Sequence, residues 1–317
     1  MIVYKELSSL TKDLGVSAKT LYTLSNHIDS HYYQAKVPKK NGEYRELSVP
    51  DEFLKTIQKR IVEKLLVYEE VSTYATAYRY GTSTIKNAYQ HIKKHTMLKL
   101  DIRHFFDNIN YPIVKEKVFV KEKYSESNRI LLSLLCIYND ALPQGAPTSP
   151  IISNIIMKEF DNIVGDWCKK KRISYTRYCD DMTFSGYFNE KEVISFVKAE
   201  LKKMGFYLND NKTVIAGKGQ KQIVTGIIVN EKLNTPLSYR RKIRQELYYC
   251  KRFGIKSHLQ RKKLSISEPD YLKKLLGKVN YVLSVDNTNK EMLGYRDWLT
   301  EQSKYMKEQK RINILNI

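Results

Sequence analysis

The sequence predicts an α+β fold, in which β-hairpins and short strands are interspersed with helices and followed by a basic helical C-terminal part. Three observations carry this reading. Short strand-like runs are joined by turn residues, helical spacing of apolar residues recurs between them, and from Ser238 onward the pattern is helical and rich in cations.

Leu7–His27 reads as two short helices. Its Lys12–Val16 turn imitates a helix-turn-helix, but no basic recognition helix follows. Asn41-Gly42 between strand-like runs in 33–50 predicts a hairpin whose tip carries Lys39, Lys40 and Arg45. Leu54, Ile57, Ile61, Leu65 and Leu66 predict a helix over 53–67, and a second is expected over 84–95. Met97–Asp101 alternates as a strand, and 110–139 reads as helical with breaks. The loop 142–150 leads into a helix capped by Ser149, with Pro150 first and Ile151, Ile155, Ile163 and Trp167 on its apolar face. Ile173–Tyr178 and Met182–Ser185 flank Asp180-Asp181 as a second hairpin. A helix over 192–204 and strands over 206–208 and 223–229 complete the middle of the chain.

Composition narrows the class. At 317 residues the chain can build a sizeable core and about two domains. Lys plus Arg number 55 against 34 Asp plus Glu, a formal net charge of +21, which points to nucleic acid as the partner. A membrane partner is not expected: the longest apolar stretch, near Leu131–Ile137, is broken by Ser133 and too short to span. Met1–Leu10 does not read as a signal peptide, so the expected location is cytoplasmic. Four scattered cysteines predict reduced thiols. His91 and His95 stand at helical spacing without a third ligand, so they are expected on the surface or facing nucleic acid. The 24 tyrosines suit base stacking as well as core packing.

Candidate chemistry rests on three carboxylates. Adjacent Asp180 and Asp181 repel unless a cation neutralises them, and Asp101 closes another strand. Taken singly, an Asp-Asp turn is an ordinary solvated loop and Asp101 a helix cap. Together they are what two-metal phosphoryl transfer needs, with ions roughly 3.5–4 Å apart.

In this order the motifs resemble those of reverse transcriptases. They are the Lys39–Arg45 hairpin, Leu100-Asp101-Ile102 with Phe105-Phe106, Leu142–Pro150, Tyr178-Cys179-Asp180-Asp181, and Gly205-Phe206 through Thr213. Asn87-Ala88-Tyr89-Gln90-His91 and Val224-Thr225-Gly226 resemble elements of bacterial retron enzymes, although Cys179 stands where those commonly have alanine. The resemblance implies a right-hand polymerase: N-terminal helices and fingers over 1–96, palm over 97–111 and 150–236, a fingers–palm connection over 112–149, and a helical thumb over 237–317. It implies that Asp101, Asp180 and Asp181, with the Ile102 carbonyl, hold two Mg²⁺ ions, Mn²⁺ substituting.

Lys39 (or its neighbour Lys40) and Arg45 would neutralise the triphosphate, and Gln144 would contact nucleotide and template. Phe106 would exclude ribonucleotides unless it is simply a core ring. Lys212 would protonate pyrophosphate unless it is a solvated surface lysine. Asn87, His91, Val224, Thr225, Gly226, Arg240, Arg241, Lys242 and Arg244 would contact nucleic acid, with the basic segment 238–278 tracking a duplex. The implied partners are deoxynucleoside triphosphates, a noncoding RNA that templates and primes through a 2′-OH, the branched RNA–DNA product, and a separately encoded antiphage effector. Rival readings are a group II intron or diversity-generating reverse transcriptase, and a catalytically silent nucleic-acid scaffold; all three aspartates are present, which speaks against the last.

Overall fold

The computed structural model describes residues 3–38 and 42–315, an α+β chain that divides into two units, 1–90 with 94–217 and 91–93 with 218–317. In the first unit β1 (Tyr32–Pro38) and β2 (Tyr44–Pro50) form an antiparallel hairpin, with Val37 opposite Arg45. The main sheet is built from β3 (Thr96–Asp101), β4 (Ser174–Tyr178), β5 (Asp181–Gly186) and β6 (Val214–Ala216), in the order β4-β5-β3-β6, antiparallel throughout.

The helices of this unit begin where side chains specify their starts. Ser17 accepts from the Thr20 N–H, Asp51 from Leu54, Ser83 from Lys86 and Asn110 from Ile113, each satisfying a donor that the helix cannot. Leu54, Ile57 and Ile61 of helix Glu52–Lys64 enter one core with Leu98 and Leu100 of β3, Phe160, Phe184 and Val197. Each such side chain contributes roughly 1.5–3 kcal/mol by leaving water.

In the second unit β7 (Ile223–Val224) and β8 (Ile227–Ile228) enclose Thr225-Gly226, both at positive φ, as a two-residue hairpin turn requires. Helices Leu237–Phe253, Ile255–Arg261, Glu268–Val285 and Lys290–Leu315 share a separate core that includes Leu247, Leu272, Leu275, Val279 and Leu299. Among the described residues no helix is long and apolar enough to cross a membrane.

Several expectations need correction. The helix expected over 84–95 ends at Tyr89, and Lys93, at φ +56°, has left helical geometry. Residues 206–208 are not a strand; only Leu208 forms a bridge, with Ile102. β6 lies outside the strands that the sequence predicts, and 223–229 is split by the Thr225-Gly226 turn. Ser149 does not cap: its hydroxyl donates to the Pro143 carbonyl, and helix Ser149–Ile156 stops before a second helix, Lys158–Lys170. Ile163 is 43% exposed and so lies at the edge of the apolar face expected of it.

Candidate active site

Strand register brings the carboxylates together. Asp101, the last residue of β3, lies directly opposite Asp181, the first residue of β5. Asp180 occupies the two-residue turn between β4 and β5, where its carbonyl accepts from the Ile102 N–H at 3.1 Å. The Asp101 carbonyl accepts from the Asn209 N–H at 2.8 Å, so both strand ends are tied down. Cys179, the first turn residue, sits at φ +61°. A side chain in that left-handed region costs on the order of 1–3 kcal/mol and persists only where neighbours enforce it.

The enforcement comes from beneath the turn. Arg177 Nη1 donates to the Cys179 carbonyl at 2.9 Å, while Nε and Nη2 fork onto Asp161 at 2.8 and 2.6 Å. Asp161 also accepts from the Tyr175 hydroxyl, and Asn154 accepts from Arg177 and donates to the Ala77 carbonyl. Burying two charges is tolerable only with this complete pairing. On the outer side, Thr76 and Tyr74 hydrogen-bond the Arg177 backbone and cover the edge of β4.

A cavity of about 780 Å³ opens above the aspartates. Its walls carry Arg45, Phe106, Gln144 and Lys212 together with Asp101, Ile102, Asp180 and Asp181. Gln144 and Arg45 are brought near by a glycine: Gly145, at φ +147°, packs so closely on β2 that an added Cβ would lie 2.7 Å from the Ser48 carbonyl oxygen. Lys39 and Lys40 lie outside the described residues. Asp101 is almost fully buried, whereas Asp180 and Asp181 are half-buried.

Burial raises the Asp181 carboxyl above its usual range; Lys99 and Lys212 pull it down, and the charges of Asp180 and Asp101 push it up. The Lys212 ammonium donates to Asp101 Oδ2 at 2.9 Å, which holds its pKa up despite partial burial. Clustered hard oxygen donors under mutual repulsion fit a divalent cation. Among the described residues no three His, Cys, Asp or Glu side chains form a ready metal cage, and Lys212 supplies the positive charge at Asp101.

The residues expected to contact nucleic acid are scattered. His91 is buried, not at the surface, and Asn87 is enclosed too; of the two histidines His95 is the exposed one, edge-on to Tyr187. Because the helix stops at Tyr89, the two histidines share no helical face. Val224 is core, while Thr225 and Gly226 form the turn. Arg241 and Lys242 are exposed and Arg240 is half-buried, but Arg244 is committed to a bidentate ion pair with Glu291.

Sequence reasoning missed Arg177, Asp161, Asn209 and Tyr78. Tyr78 lines the cavity, and burial together with the neighbouring Cys179 thiol raises its phenol pKa. The one available signal is Arg177 itself, a charged residue two positions from Cys179 in a strand-like run, which the structure buries.

The sequence profile of the reverse transcriptase (RNA-dependent DNA polymerase) family matches residues 37–229. Retron Ec83 reverse transcriptase of Escherichia coli is 34% identical over 236 residues, covering 69% of this chain and 75% of that protein. Retron Ec86 reverse transcriptase, also of Escherichia coli, is 28% identical over 299 residues, covering 92% and 88%. The chain belongs to the bacterial retron reverse transcriptases. This retron reverse transcriptase is therefore an RNA-directed DNA polymerase of right-hand fold, and as a member of that family it works with divalent metal ions. A solved structure of apo telomerase from Candida tropicalis, truncated from its C-terminal domain, aligns with a TM-score of 0.44 at 15% identity, covering 65% of this chain and 55% of that one. A score of that size adds nothing to the assignment.

Proposed function

We propose that this enzyme copies a structured noncoding RNA that serves as both template and primer, and makes a branched, RNA-linked multicopy single-stranded DNA. A guanosine 2′-OH of that RNA would start the strand, giving a 2′,5′ linkage. The observation that carries the polymerase chemistry is the meeting of Asp101, Asp180 and Asp181 at one end of the sheet, in a cavity that also holds Arg45, Gln144 and Lys212.

In this reading the primer hydroxyl attacks the α-phosphate of a deoxynucleoside triphosphate, and pyrophosphate departs. Asp101, Asp180, Asp181 and the Ile102 carbonyl would hold two Mg²⁺ ions, with Mn²⁺ as a substitute. When bound, the ions supply Lewis-acid stabilisation of charge on the reacting oxygens. Arg45, with Lys39, orients and neutralises the triphosphate. Gln144 positions the nucleotide against the template, and Phe106 fills the space beside the sugar's 2′ carbon. Lys212 donates a proton to the departing pyrophosphate oxygen; its raised pKa keeps it charged until then. Catalysis is then mostly positioning.

The first unit would supply fingers and palm, and the helices from 237 onward the thumb, with Arg240, Arg241 and Lys242 on nucleic-acid phosphates. We place the enzyme in the cytoplasm, acting with a separately encoded effector in antiphage defence. The test is expression with its flanking genomic DNA, followed by extraction of nucleic acid. A short DNA carrying RNA that a debranching enzyme releases, absent with Asp180→Asn, is the expected result. Synthesis that survives Asp180→Asn would overturn the aspartate assignment, and ordinary primer extension without branched DNA would overturn the 2′-OH priming.

A further inference from the structure

A second cavity, of about 500 Å³, lies on the second unit and is lined by Arg244, Tyr248, Lys251, Arg252 and Tyr295. Four of these come from helix Leu237–Phe253, where positions 244, 248, 251 and 252 share one face; Tyr295 comes from helix Lys290–Leu315. One wall is rigid. Arg244 forks onto Glu291 at 2.6 and 2.7 Å, and Glu291 also accepts from the Tyr295 hydroxyl at 3.1 Å. The Lys251 ammonium stands 5.1 Å from the ring centroids of both Tyr295 and Trp298.

The rest of the cavity faces water, with the Tyr248 ring set edge-on to Tyr249 at 5.6 Å between centroids. Tyr248 leaves 59% of its surface in water. Arg252 beside it has no hydrogen bond or ion pair among the described residues, and Lys251 has no carboxylate partner. An exposed aromatic ring beside the unpaired Arg252 guanidinium, with the Lys251 ammonium held by two rings close by, is complementary to a flat base joined to a phosphate. A base within a duplex has both faces covered by its neighbours, so a stacking platform of this kind selects an unpaired one.

We propose that this cavity binds one unpaired nucleotide of a single-stranded nucleic acid. Its base stacks on Tyr248, and its phosphate is held by Arg252 and Lys251. The inference draws on the enzyme's nucleic-acid partner but not on the roles of the aspartates.

Trp298 supplies a local readout. The chain has two tryptophans, so Trp167→Phe leaves Trp298 alone, beside Lys251. Emission of the full-length Trp167→Phe protein is titrated with hexauridylate, hexathymidylate, a blunt duplex and inorganic phosphate. A saturable change with a single strand is expected; comparing the two hexamers tells whether RNA or DNA is the better occupant. Adding Tyr248→Ala should raise the half-saturation about tenfold or more, whereas Tyr248→Phe should leave it within about twofold. Arg252→Gln should lower the salt slope by about one. Absence of a saturable change, an unaltered Tyr248→Ala titration, or an equal response to blunt duplex or phosphate would each overturn the proposal. Primer extension by the same preparations is scored separately, so a failure of the polymerase assignment and a failure of this one are distinguishable.

Discussion

The Arg177 guanidinium joins the carbonyl of Cys179, 2.9 Å away, to the buried carboxylate of Asp161. Arg177 and Asp161 are both fully enclosed, so removing either leaves an uncompensated charge in the core. Arg177→Met is expected to cost about 3–5 kcal/mol of stability, read as a lower urea midpoint. In the folded fraction, kcat for single-nucleotide extension should fall more than KM rises, because the turn that carries Asp180 loses its anchor. Arg177→Lys, which keeps the charge and loses the fork, should recover stability only in part. Wild-type kcat in Arg177→Met would show that the turn holds itself.

Gly145 meets β2 too closely for any side chain. Gly145→Ala must push the loop or the hairpin aside, at roughly 1–3 kcal/mol. The displacement falls between Gln144 and Arg45, so KM for the deoxynucleotide should rise several-fold in steady-state extension. An unchanged KM would count against the proposed nucleotide contacts of Gln144 and Arg45.

Phe106 is half-buried, lines the cavity and stands edge-on to Phe105 with ring centroids 5.3 Å apart. If its ring excludes a 2′-hydroxyl, Phe106→Val should lower the preference for deoxynucleotides over ribonucleotides about tenfold or more. Competing incorporation of the two substrates measures this directly. An unaltered ratio would leave Phe106 as packing for Phe105.

Glu246 gives the second unit an acid sensitivity. Burial pushes its carboxyl up, but bonds from Lys262, Tyr271 and His258 outweigh burial and bring it from 4.5 down to about 2. A depressed folded value stabilises the protein above the unfolded one. That contribution is complete above about pH 4.5 and drains away as the pH falls toward 2. Thermal unfolding between pH 6 and pH 3 should show a steeper loss in the parent than in Glu246→Gln. Parallel curves would place the acid sensitivity elsewhere.

What could be read from sequence was what is locally encoded. Turn chemistry around Asp180-Asp181 and the strand ending at Asp101 are properties of neighbouring residues, and register then brought them together. Arg45, Gln144 and Lys212 were reached through motif order and do line the same cavity. Long-range pairing was invisible. Arg244 read as a free cation because Glu291 lies 47 positions away, and nothing near Tyr78 announced its contact with Cys179. His91 is buried for a different reason: helical spacing continues past Tyr89 in the sequence, but the helix ends there and the backbone leaves it.

Arg177 and Asp161 cancel each other out of reach of dissolved ions, so ionic strength has little purchase on the turn they anchor. The exposed cations of the second unit enjoy no such shelter. If those cations hold RNA as proposed, added salt should loosen that hold long before it disturbs the arrangement of the aspartates. A titration with potassium chloride becomes a physical means of dividing association from chemistry without altering a single residue.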